Sequence, residues 1–173
     1  MSNTSLPTVG YYPIRGRAQP IRLLLNHAIM RHLARKHGLV ATDETGLVRQ
    51  DVLEQQLADI LYGLANGLLF DKDYETLKIK YLAETLPQQL DELSRFLGTR
   101  QWFTRNHINY VDFMGYELLD WLREFSASTF NKYQNFVQYM NRFESLPAIK
   151  AYMKSPELIR TPFGPYIQFD YRN

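Results

Sequence analysis

Gly-Tyr-Tyr-Pro-Ile-Arg-Gly-Arg-Ala-Gln-Pro-Ile-Arg-Leu-Leu-Leu, residues 10–25, is a strand end, a tight loop and a helix start in one run. Thr8–Tyr12 reads as a short strand, because its residues are β-branched or aromatic and Pro13 stops it. Ile14-Arg15-Gly16-Arg17 is the loop, with Gly16 supplying backbone freedom. Pro20 suits the first turn of a helix, where its missing N–H leaves nothing unpaired. Ile21–Leu25 then gives that helix its apolar surface.

The composition around this unit is that of an ordinary globular chain. Hydrophobic residues make up 45% and charged residues 22% of 173, room for one domain or two small ones. Twelve Tyr and 10 Phe supply ample core. Twenty basic against 18 acidic side chains leave +2, too even a balance to argue for nucleic acid or an acidic membrane surface. The absence of cysteine excludes disulfides, thiolate catalysis by the protein and Cys-based metal sites. No apolar run approaches the ~20 residues of a membrane span. The start, Met-Ser-Asn-Thr-Ser-Leu-Pro, has neither the charge nor the apolar stretch of a signal peptide. The expected location is cytoplasmic.

The order of residues from Val9 to about Leu158 resembles the cytosolic glutathione transferases of the mu, pi and sigma kind. In that family a tyrosine ends the first strand and donates its hydroxyl to the glutathione sulfur. The resemblance puts Tyr11 in that role. A free thiol has a pKa of about 8.5, and only its thiolate attacks well. A positioned O–H donor stabilises the thiolate and lowers that pKa. Tyr12 matches the neighbouring aromatic of the glutathione site, and Arg17 a loop arginine of pi- and sigma-like members. Read without the rest of the motif, Tyr11 and Tyr12 are ordinary strand residues.

Asn26 to Leu39, ending Ala-Arg-Lys-His-Gly-Leu, resembles the third helix of the family's thioredoxin-like domain. Gly38 fits its C-cap, with Arg35, Lys36 and His37 well placed for the helix dipole. The resemblance implies a second strand, a second helix, a cis-proline turn and two further strands between the first and third helices. None has a counterpart, so roughly half of the thioredoxin-like unit is absent. Where the family has a Gln-Ser or Glu-Ser pair for the γ-glutamyl end, this chain has Asn26-His27. Nothing between Ile21 and His37 is Pro or Gly, so a real bond at Ala28–Ile29 would fuse the two helices into one. Fusion would leave the strand Thr8–Tyr12 without a sheet, and the glutathione site without much of its backbone.

Val40–Gly46 reads as a polar linker. Leu47–Leu69 reads as a long helix, with Val52, Leu53, Leu57, Ile60, Leu61 and Leu64 as its apolar stripe. Asp51-Val52-Leu53-Glu54-Gln55-Gln56-Leu57-Ala58-Asp59 matches a string on the family's fourth helix. There the last aspartate reaches across a dimer to the γ-glutamyl ammonium of the partner's glutathione, a role the resemblance gives to Asp59. Read by itself, Asp59 is a solvated helix charge.

A helix from Asp71-Lys72-Asp73 to about Thr85 is interrupted by Pro87 and resumes to Gly98. Asn109 and Asp112 form a capping box, with Ile108 and Phe113 as its hydrophobic staple, ahead of a helix carrying Leu118, Leu119, Trp121 and Leu122. Phe136, Val137, Met140 and Phe143 are one face of a helix over Tyr133–Glu144, and Pro147 opens a short one, Ala148–Lys154. The aromatic tail Arg160–Asn173 reads as irregular chain packed over the domain.

His27, His32 and His37 are five apart, about 140° between successive rings, so they do not converge on a metal. They read as solvated helix histidines, and no metal site is expected. The fold class that follows is mainly α, a glutathione-transferase helical bundle behind a truncated thioredoxin-like α/β remnant. The division is 1–39 truncated thioredoxin-like domain, 40–46 linker and 47–173 all-α domain. The resemblance implies a transferase joining the glutathione thiolate to small electrophiles as a homodimer. Tyr11 would be catalytic, and Tyr12, Arg17, Asn26 and Asp59 would hold glutathione as co-substrate with no cofactor. The alternative is a non-catalytic relative kept as a binding or scaffold module.

Overall fold

A computed structural model describes residues 19–69, 71–105, 107–156 and 158, with side chains from His27 onward except that of Asn66. Tyr11, Tyr12, Arg17, the strand Thr8–Tyr12 and the tail Arg160–Asn173 lie outside the described residues, as does the Asn26 side chain. All regular structure in the described part is helical, with no strand among those residues. Helix α1 is Gln19–Lys36, α2 Glu44–Leu64, α3 Tyr74–Lys80, α4 Leu86–Leu97, α5 Tyr110–Phe125, α6 Ala127–Phe130, α7 Gln134–Glu144 and α8 Pro147–Tyr152.

Helix α1 runs unbroken through Ala28–Ile29, as the lack of any breaker there predicts. It ends where expected: Gly38 takes φ +69°, and the Leu39 N–H closes back on the Ala34 carbonyl at 2.8 Å, as in a Schellman cap. The following loop is shorter than a 40–46 linker, because Asp43 caps α2. Its side chain accepts the Gly46 N–H at 2.9 Å, and the helix starts at Glu44 rather than Leu47. Gly46 has to be small: a Cβ there would sit 2.8 Å from Ala41 Cβ.

Leu53, Leu57, Ile60 and Leu64 bury one face of α2, and Leu86, Leu90, Leu93 and Leu97 that of α4. Val52 does not belong to the buried stripe and is 55% exposed. It lies about 100° round the helix from Leu53 and about 140° from Leu57. Pro87 shapes the chain before it. Having no N–H, and a ring that displaces the carbonyl four residues back, it cannot continue a regular α-helix. The turn at Tyr81–Thr85 widens to a π-turn instead, with the Leu86 N–H reaching the Tyr81 carbonyl.

The capping box forms as expected and does more than start α5. Asp112 is fully buried; its Oδ2 accepts the Asn109 N–H at 2.8 Å and its Oδ1 accepts the Phe103 N–H at 2.9 Å. It therefore fastens the loop before α5 as well as the helix start. Tyr139, fully buried on α7, donates its hydroxyl to the Asp112 backbone carbonyl at 2.8 Å. Its ring meets Phe103 edge-on, with centroids 5.0 Å apart. Gly115 admits this packing, since a Cβ there would come within 2.9 Å of the Phe103 ring. Arg49 of α2 closes the same end of the bundle. It lies over the Phe96 ring at 4.0 Å and donates to the Phe96 and Phe103 carbonyls at 2.9 and 3.1 Å.

Candidate functional site

The acidic string Asp51–Asp59 lies wholly on α2, and helical phase splits its three carboxylates. Asp51 and Asp59 face solvent, whereas Glu54 is buried. Asp59 shares the outer face of α2 with Val48, Val52 and Gln55, at spacings of four, three and four residues. Gln55 Nε2 donates to Asp59 Oδ1 at 2.8 Å, steadying the carboxylate while leaving it open to an ammonium group.

Glu54 is the centre of a joint among three helices. Its Oε2 accepts from Arg31 Nε of α1 at 2.9 Å and from the Tyr110 hydroxyl of α5. Its Oε1 makes no hydrogen bond, and His27 Nδ1 lies 3.3 Å from it. The hydrogen bond from Arg31 offsets part of what it costs to bury a carboxylate, and the same bond raises the Arg31 pKa. Burial, then the neighbouring Glu54, push the Tyr110 pKa well up, so that its hydroxyl stays a donor.

His27 is thus only partly solvated, unlike the exposed His32 and His37. It lies on the α1 face that also carries Met30 and Ala34 toward the bundle. Among the described residues no group of three histidine or acidic side chains could hold a metal ion. No helix among them is long and apolar enough to cross a membrane. Asn26 falls inside α1, well past its first turn.

Gln50 was not singled out by sequence, yet it joins the two halves of the described chain. It is 6% exposed, and its Oε1 accepts both the Ala41 N–H at 3.1 Å and Asn109 Nδ2 at 2.9 Å. The Tyr110 N–H reaches the Leu39 carbonyl at 3.0 Å beside it. The exit of α1 is therefore tied to the capped start of α5. Both Gln50 and Glu54 sit in phase with Leu53 and Leu57, the one signal that could have marked them as buried.

These features define a class: an all-helical bundle built round a deeply buried, box-capped helix, with Asp51 and Asp59 displayed on α2. A family model described as "Glutathione S-transferase, C-terminal domain" matches residues 58–156. The chain belongs to that glutathione S-transferase family. It is 42% identical over 141 residues to glutathione S-transferase Mu 1 of Oryctolagus cuniculus, covering 82% of this chain and 64% of that protein. Against glutathione S-transferase Mu 5 of Homo sapiens it is 41% identical over 139 residues, 80% of this chain and 63% of the relative. The chain thus spans a little under two thirds of the length of these relatives. Among solved structures, the glutathione S-transferase Blo t 8 superposes with a TM-score of 0.67 at 35% identity, over 74% of this chain and 61% of that one. A Pi-class enzyme of Onchocerca volvulus shares the fold, with a TM-score of 0.68 at 24% identity over 83% of this chain and 89% of that one.

Proposed function

We propose that this chain is a glutathione transferase subunit. It would join the sulfur of glutathione to an electrophilic carbon of a small molecule, a detoxifying reaction of the cytoplasm. The observation that carries the reading is the Asp51–Asp59 string on a family bundle, with Asp59 held by Gln55 on an open face of α2. Glutathione is the co-substrate, and the protein brings no cofactor of its own.

In the chemistry proposed, the Tyr11 hydroxyl donates to the sulfur and holds it as thiolate. The thiolate forms the S–C bond as the leaving group departs with the bonding pair. Tyr12 and Arg17 flank the tripeptide, and Asn26 stands where the family holds its γ-glutamyl end. Asp59 answers the ammonium of glutathione bound by a second copy, so the working unit is a homodimer. The proposed division of the chain is a truncated glutathione-binding part over 1–39, then a linker and the helical domain, whose start the cap at Asp43 moves forward from 47 to 44.

The test is conjugation of a chromogenic aryl halide, followed for the native chain and for Tyr11→Phe. A hydrogen bond to a charged acceptor is worth about 1.5–3 kcal/mol, so the substitution should lower kcat/KM roughly 10- to 100-fold. Equal rates would remove Tyr11 from the chemistry.

A further inference from the structure

The two oxygens of the buried Glu54 carboxylate are served unequally. Its Oε2 takes both hydrogen bonds, from Arg31 Nε and from the Tyr110 hydroxyl, while its Oε1 takes none. A buried carboxylate oxygen without a donor costs free energy that a new donor recovers. The atom placed to supply one is His27 Nδ1, 3.3 Å away. His27 and Arg31 are four residues apart, so they stand side by side on α1 and straddle the carboxylate.

Among the described residues, the charged and titratable groups gathered at this point are His27 and Arg31 on α1, Glu54 on α2 and Tyr110 on α5. Two of them keep their protons. The hydrogen bond to Glu54 raises the Arg31 pKa, and burial raises that of Tyr110. The imidazole, 22% exposed, is open to proton exchange with water. Histidine is the side chain that gains and loses a proton between pH 5 and pH 8. As neutral imidazole it brings the carboxylate at most an uncharged N–H, and in its other tautomer a lone pair. As imidazolium it brings a charged N–H, and a hydrogen bond in which the donor too is charged is stronger.

Apolar packing holds α1 only lightly. Among its described side chains Ala34 alone is fully buried, with Met30 packed in part. The polar joint at Glu54 therefore carries a large share of what seats the helix. We propose that His27 and Glu54 form a pH-operated latch, in which a proton on the imidazole closes α1 onto α2 and its loss loosens the helix. Seating α1 then takes up a proton, so acid favours the seated helix and base the loosened one. The latch stands without the transferase reading, and it bears on that reading because α1 carries Asn26.

Hydrogen exchange of the α1 amides in the full chain tests it, measured at pH 5 and pH 8 and corrected for the intrinsic exchange rate at each. The comparison is with His27→Gln, whose side-chain amide carries no charge at either pH. From pH 5 to pH 8, α1 protection in the native chain should fall about 5- to 10-fold more than it does in the variant. His32, His37 and Asp112 are common to both proteins, so the difference isolates the imidazole. Glu54→Gln, which keeps His27 and removes the carboxylate, should abolish the extra fall as well. Protection of α5 and α7 shows that each variant is folded. An equal fall in the native chain and in either variant, or a native α1 better protected at pH 8, would overturn the latch.

Discussion

Replacing Asp112 with alanine strips the acceptors from two buried backbone N–H groups, those of Phe103 and Asn109. Each buried donor left unpaired costs about 1–3 kcal/mol, so the acceptors together are worth roughly 2–6 kcal/mol. Against this stands the cost of burying the carboxylate itself. Burial pushes the Asp112 pKa from 3.8 up to about 6, while the bonds from Phe103, Asn109 and Tyr139 pull it back only in part. Between those two values the folded chain holds a proton that the unfolded chain has already released. Lowering the pH through the window therefore stabilises the native protein, by about 1.4 kcal/mol between pH 8 and pH 5. The alanine variant has no such group. Its deficit in urea unfolding should accordingly be smaller at pH 8 and larger at pH 5 by that amount. A deficit independent of pH, or one that shrinks on acidification, would refute this account of Asp112.

Gly115→Ala should destabilise the bundle by about 1–3 kcal/mol, because its methyl would meet the Phe103 ring at 2.9 Å and the ring is locked against Tyr139. Thermal unfolding measures it, and a neutral substitution would mean the loop before α5 gives way easily. Glu54→Gln should loosen α1, since an amide cannot hold Arg31 as an ion and its NH2 adds no acceptor for Tyr110. Amide hydrogen exchange within α1 should accelerate while α5 and α7 keep their protection; exchange rising equally everywhere would contradict a local joint.

Helix positions were legible in the sequence wherever a local rule sufficed. The C-cap at Gly38 and the box of Asn109 and Asp112 each need only neighbouring residues, and each appears, whereas Pro87 gives a π-turn over Tyr81–Thr85 in place of the expected interruption. What sequence spacing did not reveal depends on contacts between distant elements. Glu54 and Gln50 are polar residues whose phase with Leu53 and Leu57 hints at burial, but their partners are known only once α1 and α5 arrive over that face of α2. His27 is drawn toward Glu54 by the same arrival. Val52 shows the converse error, an apolar residue counted with the core although its helical phase points outward. Tyr139 went unmarked because its partner carbonyl lies 27 residues away in sequence. For the candidate site, the outward setting of Asp59 follows from its phase against Leu57 and Ile60.

The most direct test of the transferase reading is calorimetric titration of the 173-residue chain with glutathione, alongside its Asp59→Ala variant. The transferase reading predicts stoichiometric binding to the native chain, with weaker binding and unchanged unfolding in the variant, because Asp59 is exposed. The helix unbroken at Ala28–Ile29, which leaves the site without much of its backbone, by itself predicts poor binding or none. No heat of binding to a folded native chain would contradict the transferase reading, and would leave the bundle as a non-catalytic member of its family.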